Sequence, residues 1–595
     1  MIAGVSHSRQ SAAALLALIA LLSGCAVPMD GRRIAPTAPA AASPVEVGVL
    51  AFNDFHGNLE PPRQTVSTPD GLGGTVQVPA GGAAWLASAL DALRARRPNH
   101  LTVSAGDMIS ASPLASSLFL DEPTIGVMNR LGLDFSAVGN HEFDRGQQEL
   151  LRLQNGGCAK FTAREPCQIE RFTGAQFRYL AASTRTAAGG TLFPASGLRT
   201  FGEGARQVRI GVIGLTLKGT PMLVTPSGIA GLTFADEADT INAEVPRLKA
   251  QGADAIIVLI HQGGKTTGAP DPNGCAGLAG EILPIIARLA PGVDVIVSGH
   301  THEDYVCDIP TSDPARPLLL TSAGQYGKEI TEITLMVDPA AHRVIARSAR
   351  NHIVQSVAFT SAKGPVTATP LFPQYAPRAD IAAYVQRYVD AAKAVATRAV
   401  GILSGPASKG EGPVANTGGA EGNLIADAQL AATRSAGADM AFMNPFGIRA
   451  AIVPAADGAV TFGDVYLAQP FGNALVTGTM TGAQIKAALE QGFDAIGPEQ
   501  VLAPSAGLIY RFDRRQPVGS RITGITLHGK LLDPAARYRV TVNGFLALGG
   551  DGFTAFTGAQ NTATGPTDIE ALEGYFRSAG SRDVPQEARV LDAGR

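Results

Sequence analysis

The sequence predicts a layered α/β architecture, and three features carry that expectation. Short, nearly continuous aliphatic runs recur between residues 45 and 305, and helix-like stretches alternate with them. Each run also ends in a cluster of polar side chains rather than in plain turn residues. An unbroken apolar run is the pattern of a strand buried on both faces. Strands alternating with helices stack as sheet and helix layers.

Taken in chain order, residues 1–25 read first as a targeting segment. Arg9 precedes the apolar run Ala12–Leu22, which is too short to span a bilayer but suits the core of a signal peptide. "LLSGC", residues 21–25, resembles the bacterial lipobox and marks Cys25 for lipidation. Ordinary secretion with cleavage nearby is the alternative. Residues 26–44 contain "APTAPAAASP", a flexible tether with too little apolar bulk to fold. Beyond Cys25 stand Cys158, Cys167, Cys275 and Cys307. An even count in an exported chain suggests disulfides, and 158–167 with 275–307 closes the shortest loops. Free buried thiols are the alternative, and no C-x-x-C pair favours zinc.

The strand-like runs follow. "VEVGVLAFNDFHG" ends in Asp54 and His56, "HLTVSAGDMIS" in Asp107, and "DFSAVGNHEFD" in Asn140 and His141. "ADAIIVLIHQGG" ends in His261, and "VDVIVSGHTHEDY" in His300 and His302. Between them lie the helix-like "GGAAWLASALDALRARR" and "EADTINAEVPRLKAQG". In open α/β sheets, residues beyond the carboxyl ends of the strands line a common crevice. A lone His is most often a satisfied structural residue, and a lone Asp at a strand end is usually a cap. Five such endings in one domain argue for a shared site.

Asp, His and an Asn oxygen, with no thiolate, suit Mn, Zn, Fe or Co ions better than calcium. Asp54 and His56 are two apart, as are His300 and His302, so in extended geometry each pair points the same way. Seven ligands exceed one tetrahedral site. Two adjacent divalent ions sharing a bridging carboxylate is the economical reading, and such pairs serve phosphoryl transfer.

The ordered set D-x-H, G-D, G-N-H-E, a lone His and G-H-x-H resembles the calcineurin-like metallophosphoesterase family. "FNDFHG", "GNHEFDRG" and "SGHTHEDY" are similar, more narrowly, to the 5′-nucleotidase/UDP-sugar hydrolase group. The resemblance implies a four-layer β-sandwich flanked by helices over residues 45–350 and a smaller C-terminal α/β specificity domain over residues 401–590. It implies that Asp54, His56 and His302 hold one metal and that Asn140, His261 and His300 hold the other, with Asp107 bridging. His141 would meet the phosphate and the leaving oxygen, and Asp144 would orient it. Some relatives carry Gln where His302 stands.

After residue 350 the ligand pattern stops. "IAAYVQRYVDAAKAVATRAVG", residues 381–401, has helical apolar spacing ending at Gly401, and residues 351–400 read as a linker with an interdomain helix. Beyond it, "EGNLIADAQLAAT", "FMNPFGIRA", "QPFGNALV" and "NGFLALGGDGF" resemble the 5′-nucleotidase specificity domain. That resemblance implies Phe471 and Phe545 as a pair sandwiching the base, with Asn473, Asp551 and Arg449 as polar contacts to the base edge or ribose. Stacking accepts any base face and contributes ~1–3 kcal/mol per base. Taken alone, either Phe is as readily a core residue. Two features depart from the family pattern. Phe446 stands where N-x-G-G-I-R has Gly, and an Arg-bearing stretch appears as "SGPASKGEGPVANTGG" with Lys409 its only basic residue.

With 48 basic and 51 acidic residues, the net charge of −3 gives no electrostatic case for a nucleic acid polymer or an anionic membrane. The resemblance therefore implies an exported, monomeric phosphohydrolase of the bacterial cell envelope, facing the periplasm or the outside and touching membrane only through its anchor. It would cleave nucleoside 5′-monophosphates by attack of a metal-activated water. UDP-sugars and 2′,3′-cyclic nucleotides (with 3′-nucleotidase activity) are the neighbouring substrates. A sulfur-oxidation hydrolase and a non-catalytic nucleotide-binding lipoprotein are the competing readings.

Overall fold

The computed structural model describes residues 43–311, 317–361, 364–410, 417–494 and 499–594. The signal segment with Cys25, and the tether as far as residue 42, lie outside the described residues.

Val45–Phe52 pairs in parallel with His100–Ser104 and antiparallel with Glu329–Asp338. These belong to a six-stranded sheet in the order Arg343–Ile353, Glu329–Asp338, Val45–Phe52, His100–Ser104, Phe135–Ala137, Arg178–Leu180. A second six-stranded sheet runs Asp304–Ile309, Leu318–Ala323, Val295–Ser298, Ala255–His261, Val208–Thr216, Ser196–Phe201. Side-chain alternation explains how the two stack. Val47, Val49 and Ala51 meet Val212, Ile257 and Leu259 in a core between the sheets. Leu50 and Phe52 point the other way, into a core shared with the helices Ala83–Arg94, Glu122–Leu131 and Ala379–Ala396. On the far face, Ile256, Val258 and Ile260 pack under helices Glu237–Ala250 and Ile282–Ile286. The inner strands, such as Val45–Phe52, His100–Ser104, Ala255–His261 and Val295–Ser298, are therefore covered on both faces, which is why they read as continuous apolar runs, while the edge strand Arg343–Ile353 is largely exposed. The result is a helix–sheet–sheet–helix sandwich. Each fully buried Leu, Ile or Phe contributes about 1.5–3 kcal/mol to it.

The segment 351–400 is not a free linker. Its first residues finish the strand Arg343–Ile353, and its helix buries Ile381, Tyr384, Val385 and Tyr388 in the first outer core. That helix spans Ala379–Ala396, short of Gly401, which instead lies within the strand Ala399–Leu403. The helical apolar spacing is lost there because the strand pairs with Ala459–Thr461 and Ser581–Arg582.

The C-terminal part is built on a five-stranded sheet in the order Ala503–Pro504, Met440–Met443, Arg537–Asn543, Ala474–Thr481, Gln560–Thr567. Helices Gly419–Thr433 and Asp568–Ala579 bury Leu424, Ile425, Leu572 and Phe576 in one core with Met443. Helix Gly482–Gln491 packs Ile485 and Leu489 in another with Met440 and Phe442. Disulfides join Cys158 to Cys167 and Cys275 to Cys307. Among the described residues, no helix is long and apolar enough to cross a membrane.

Candidate active site

The strands Val45–Phe52, His100–Ser104, Phe135–Ala137, Ala255–His261 and Val295–Ser298 deliver their carboxyl ends to one place. Asp54, His56, Asp107, Asn140 and His261 are each at most 3% exposed there. His261 is aimed by the last residue of its strand, but most of the other side chains are not aimed by extended backbone. Asp54 (φ 50°), His56 (46°), Asp107 (50°), His300 (71°) and His302 (61°) all adopt the left-handed region, because each strand has already ended before its ligands begin. Such conformations persist only where the surroundings over-determine them. Backbone bonds from Asp54 N to the Gly106 carbonyl and from His56 N to the Asp107 carbonyl, both 3.0 Å, clamp the two loops together. Gly139 is required by close approach, since a Cβ there would lie 2.1 Å from Asp107 Oδ1.

The donor atoms fall into three overlapping groups: Asp54, His56 and His302; Asp107, His261 and His300; and His56, Asp107 and His141. His56 Nδ1 meets the Ser110 carbonyl at 2.9 Å, and its Nε2 faces His302 Nε2 at 3.2 Å. His261 Nδ1 meets the Ala105 carbonyl at 2.8 Å, and its Nε2 faces Asn140 Oδ1 at 3.1 Å. A histidine whose rear N–H is held by a backbone carbonyl is oriented as a metal ligand. Asp107 Oδ2 lies 3.6 Å from His56 Nε2 and 2.9 Å from His261 Nε2, so one oxygen serves both halves. Its other oxygen accepts the His141 backbone N–H at 2.9 Å. Two nitrogens at 3.2 Å with a carboxylate shared between the groups is a donor set that fits a pair of divalent ions.

The electrostatics follow from burial and this crowding. Burial and the nearby Arg449 charge hold His56 well below the ordinary imidazole value, and burial lowers His302. Burial and His261 bring His300 down to about 3. Three neutral imidazoles are ready to ligate. His261 is penalised by burial, yet the Asp107 carboxylate outweighs it and raises it to about 9. His141 shows the same balance: burial disfavours its charge, and Asp144 followed by Asp107 raises it overall. Its Nδ1–H donates to Asp144 Oδ2 at 2.7 Å, which directs Nε2 away from that carboxylate.

Glu142, whose role its spacing leaves open, is a brace. Its carboxylate accepts the backbone N–H groups of Asp107 (2.9 Å), Met108 (2.8 Å) and Gly139 (2.6 Å). Burial and the Asp107 charge push it up to about 8, against the pull of those donors.

The C-terminal residues form the opposite wall of the same cleft, whose volume is about 1150 Å³. Phe471 stacks on His141 with ring centroids 5.8 Å apart and planes inclined by 19°. Phe545 lies over Gly550, where a Cβ would come within 2.5 Å of the ring. Asp551 (φ 55°) accepts from Asn444 Nδ2 at 2.8 Å, and burial raises it to about 6. The Asn473 carbonyl accepts the Asp568 backbone N–H at 2.8 Å. Arg449 lies between the two ends of the cleft: its guanidinium is 6.0 Å from the Phe471 ring centroid, and its Nη2 reaches within 3.3 Å of His56 Nε2. The loop that carries it is pinned by Arg449 N to the Ala468 carbonyl at 2.9 Å. Asn444, Glu142 and the Ala105 and Ser110 carbonyls are members that the ligand pattern does not single out. Carbonyls leave no sequence signal, and Asn444 is visible only within "NPFGIR".

Comparison with known proteins follows this division. Residues 48–304 match the calcineurin-like phosphoesterase model, and residues 400–558 match the 5′-nucleotidase C-terminal domain model. The chain is 30% identical over 559 residues to endonuclease YhcR of Bacillus subtilis, covering 92% of this chain but only 41% of that protein. It is 26% identical over 598 residues to the probable 5′-nucleotidase of Treponema pallidum, covering 90% of this chain and 92% of the relative. The solved 5′-nucleotidase precursor of Thermus thermophilus superposes with a TM-score of 0.71 at 26% identity, over 93% of this chain and all of the other. With both models matched in order and whole-length relatives of the same kind, the chain belongs to the 5′-nucleotidase family of metal-dependent phosphoester hydrolases, with an N-terminal calcineurin-like phosphoesterase domain.

Proposed function

We propose that this chain is an exported 5′-nucleotidase that releases phosphate from nucleoside 5′-monophosphates. The observation that carries the reading is the single cleft, which has the histidine–carboxylate donor set on one wall and Phe471, Phe545 and Asp551 on the other. Asp54, His56 and His302 would hold one divalent ion, Asn140, His261 and His300 the second, and Asp107 would bridge. Mn, Zn and Co all suit these donors. When bound, the pair would supply Lewis-acid polarisation of the phosphate oxygens and of the attacking water.

The chain's own residues do the rest. The Phe pair holds the flat base, Asp551 engages the nucleoside, and Arg449 offers its guanidinium to the phosphate. His141, kept charged by Asp144, donates a proton from Nε2 to the departing nucleoside oxygen. Export is supported by the N-terminal segment and by two disulfides, which persist in oxidising compartments. The proposed domain limits are residues 45–350 and 401–590, with the intervening segment completing the strand Arg343–Ile353 and packing its helix on the first domain, and lipidation at Cys25 would supply the membrane anchor.

The test is phosphate release from AMP by the purified protein under Mn²⁺, Zn²⁺ or Co²⁺, with loss in EDTA and in Asp107→Ala and His141→Ala variants. Tight AMP binding without turnover under every metal would leave only a nucleotide-binding protein. Faster turnover of a UDP-sugar or a 2′,3′-cyclic nucleotide than of AMP would move the substrate assignment to that ester.

A further inference from the structure

Tyr326 belongs to neither the ligand set nor the proposed base pocket, yet it packs directly against one half of the donor set. Its ring stands edge-on to His56, with centroids 5.9 Å apart, and edge-on to His302 at 6.0 Å. Those are the two histidines whose Nε2 atoms face each other. The residue is 7% exposed and lines the cleft. Its backbone N–H donates to the Asp54 carbonyl at 2.8 Å, so it is tied to the third member of the same donor group.

The backbone at this point is costly to build. Tyr326 has φ 63°, a left-handed conformation that a bulky aromatic rarely adopts. Gly327 follows with φ 65°, and a Cβ there would lie 3.1 Å from the Phe55 ring. The turn is thus pressed against Phe55, the residue between Asp54 and His56. Strain of this kind, held by contacts on every side, marks a place where a side chain is being aimed. Of the two halves of the donor set, its ring and backbone meet the Asp54, His56 and His302 group, with Lys328 Nζ 6.0 Å from the ring on another side; the rings of His261 and His300 pair with each other, 5.2 Å apart.

We infer that Tyr326 is a positioning residue for one half of the metal centre, its ring fixing the orientation of His56 and His302. This rests on the reading of Asp54, His56 and His302 as ligands. The ring acts through shape and not through its hydroxyl, so Tyr326→Phe preserves the effect and Tyr326→Ala removes it. Residues that orient metal-ligating histidines cost about 10–100-fold in metal affinity when lost.

The experiment is calorimetric titration of the metal-stripped full chain with Mn²⁺ alone. Wild type shows two binding steps. Tyr326→Ala weakens one step about 10–100-fold and leaves the other within about threefold, while Tyr326→Phe matches wild type in both. Melting of the metal-free proteins by near-UV circular dichroism checks that each variant is folded. If Tyr326→Ala fails that check, Tyr326→Leu, which keeps apolar bulk without the aromatic edge, takes its place and must show the same one-step loss. Two unchanged steps in a folded Tyr326→Ala or Tyr326→Leu overturn the inference, as does equal weakening of both. Equal losses in Tyr326→Phe and Tyr326→Ala also overturn it, because the hydroxyl would then be the active part. A wild type that takes up no Mn²⁺ defeats the metal reading itself, a different result from any of these.

Discussion

Glu142→Gln separates a brace from a catalytic group. The Glu142 carboxylate accepts three buried backbone N–H groups, with Oε2 shared by Asp107 and Gly139 and Oε1 taken by Met108. With its pKa at about 8 the group is mostly neutral at pH 7, and leaving three buried N–H donors unpaired in Glu142→Ala, at about 1–3 kcal/mol each, costs about 3–9 kcal/mol. That is comparable with the whole stability of many domains, and the alanine variant is expected to unfold the site. Glutamine retains one oxygen. It satisfies Asp107 and Gly139 best, leaving its amide group facing the Met108 N–H, so about one bond is lost, or about 2 kcal/mol. Local opening should then rise about 30-fold. Hydrogen–deuterium exchange of peptides carrying Asp107–Met108 and Gly139 reads this directly. Exchange at Met108 should accelerate most, with peptides of the C-terminal sheet unchanged. If these peptides exchange in Glu142→Gln as in wild type while turnover collapses, Glu142 takes part in the chemistry and the bracing argument fails.

Two further outcomes follow from the opposite wall and its helix. Phe471→Ala should raise KM for AMP about 5- to 150-fold, from a stacking contribution of ~1–3 kcal/mol; p-nitrophenyl phosphate, which lacks a base, should change little. Equal losses on both esters would remove Phe471 from the base site. Asp568 is raised by burial from its ordinary 3.8 to about 7, so the folded chain keeps a proton that the unfolded chain has released. Its stabilising contribution is complete below about pH 4 and is lost as pH rises through about 7, on the order of 4 kcal/mol in all. Urea midpoints of wild type should therefore fall, relative to Asp568→Asn, between about pH 4.5 and 8, and parallel profiles would refute the buried charge.

Much of this was legible because burial on both faces forces a recognisable pattern. A strand such as Ala255–His261, buried at every position, can only read as a continuous apolar run. The polar residue that ends it is then conspicuous. The seven candidate positions were visible for that reason, and the structure gathers Asp54, His56, His302, Asp107, His261 and His300 into overlapping donor groups with Asn140 against His261. What could not be read was set by long-range geometry. Nothing in "IAAYVQRYVDAAKAVATRAVG" announces that its last residues enter a strand, because the partners Ala459–Thr461 and Ser581–Arg582 are distant in the chain. Nor does "NPFGIR" reveal that Arg449 reaches His56, since that depends on how the two parts face each other across the cleft.

The spacing of the ligands is the point where pattern and cause part company. D-x-H and H-x-H look like alternation along a strand, which would aim both ends of each motif together. In fact the ligands lie beyond the strand ends, in left-handed backbone. The middle residue is what makes the motif work. Phe55, fully buried, plugs into the outer core with Leu86 and Leu90. Thr301 donates its hydroxyl to the Gly264 carbonyl at 2.8 Å. Each anchors the turn between its two candidate ligands, and the anchored turn can then hold φ values that an unsupported loop would relax. In both motifs the period-two spacing thus places a buried or hydrogen-bonded anchor between two candidate ligands. A metal-site motif read from sequence should be searched for that anchor as well as for its donors.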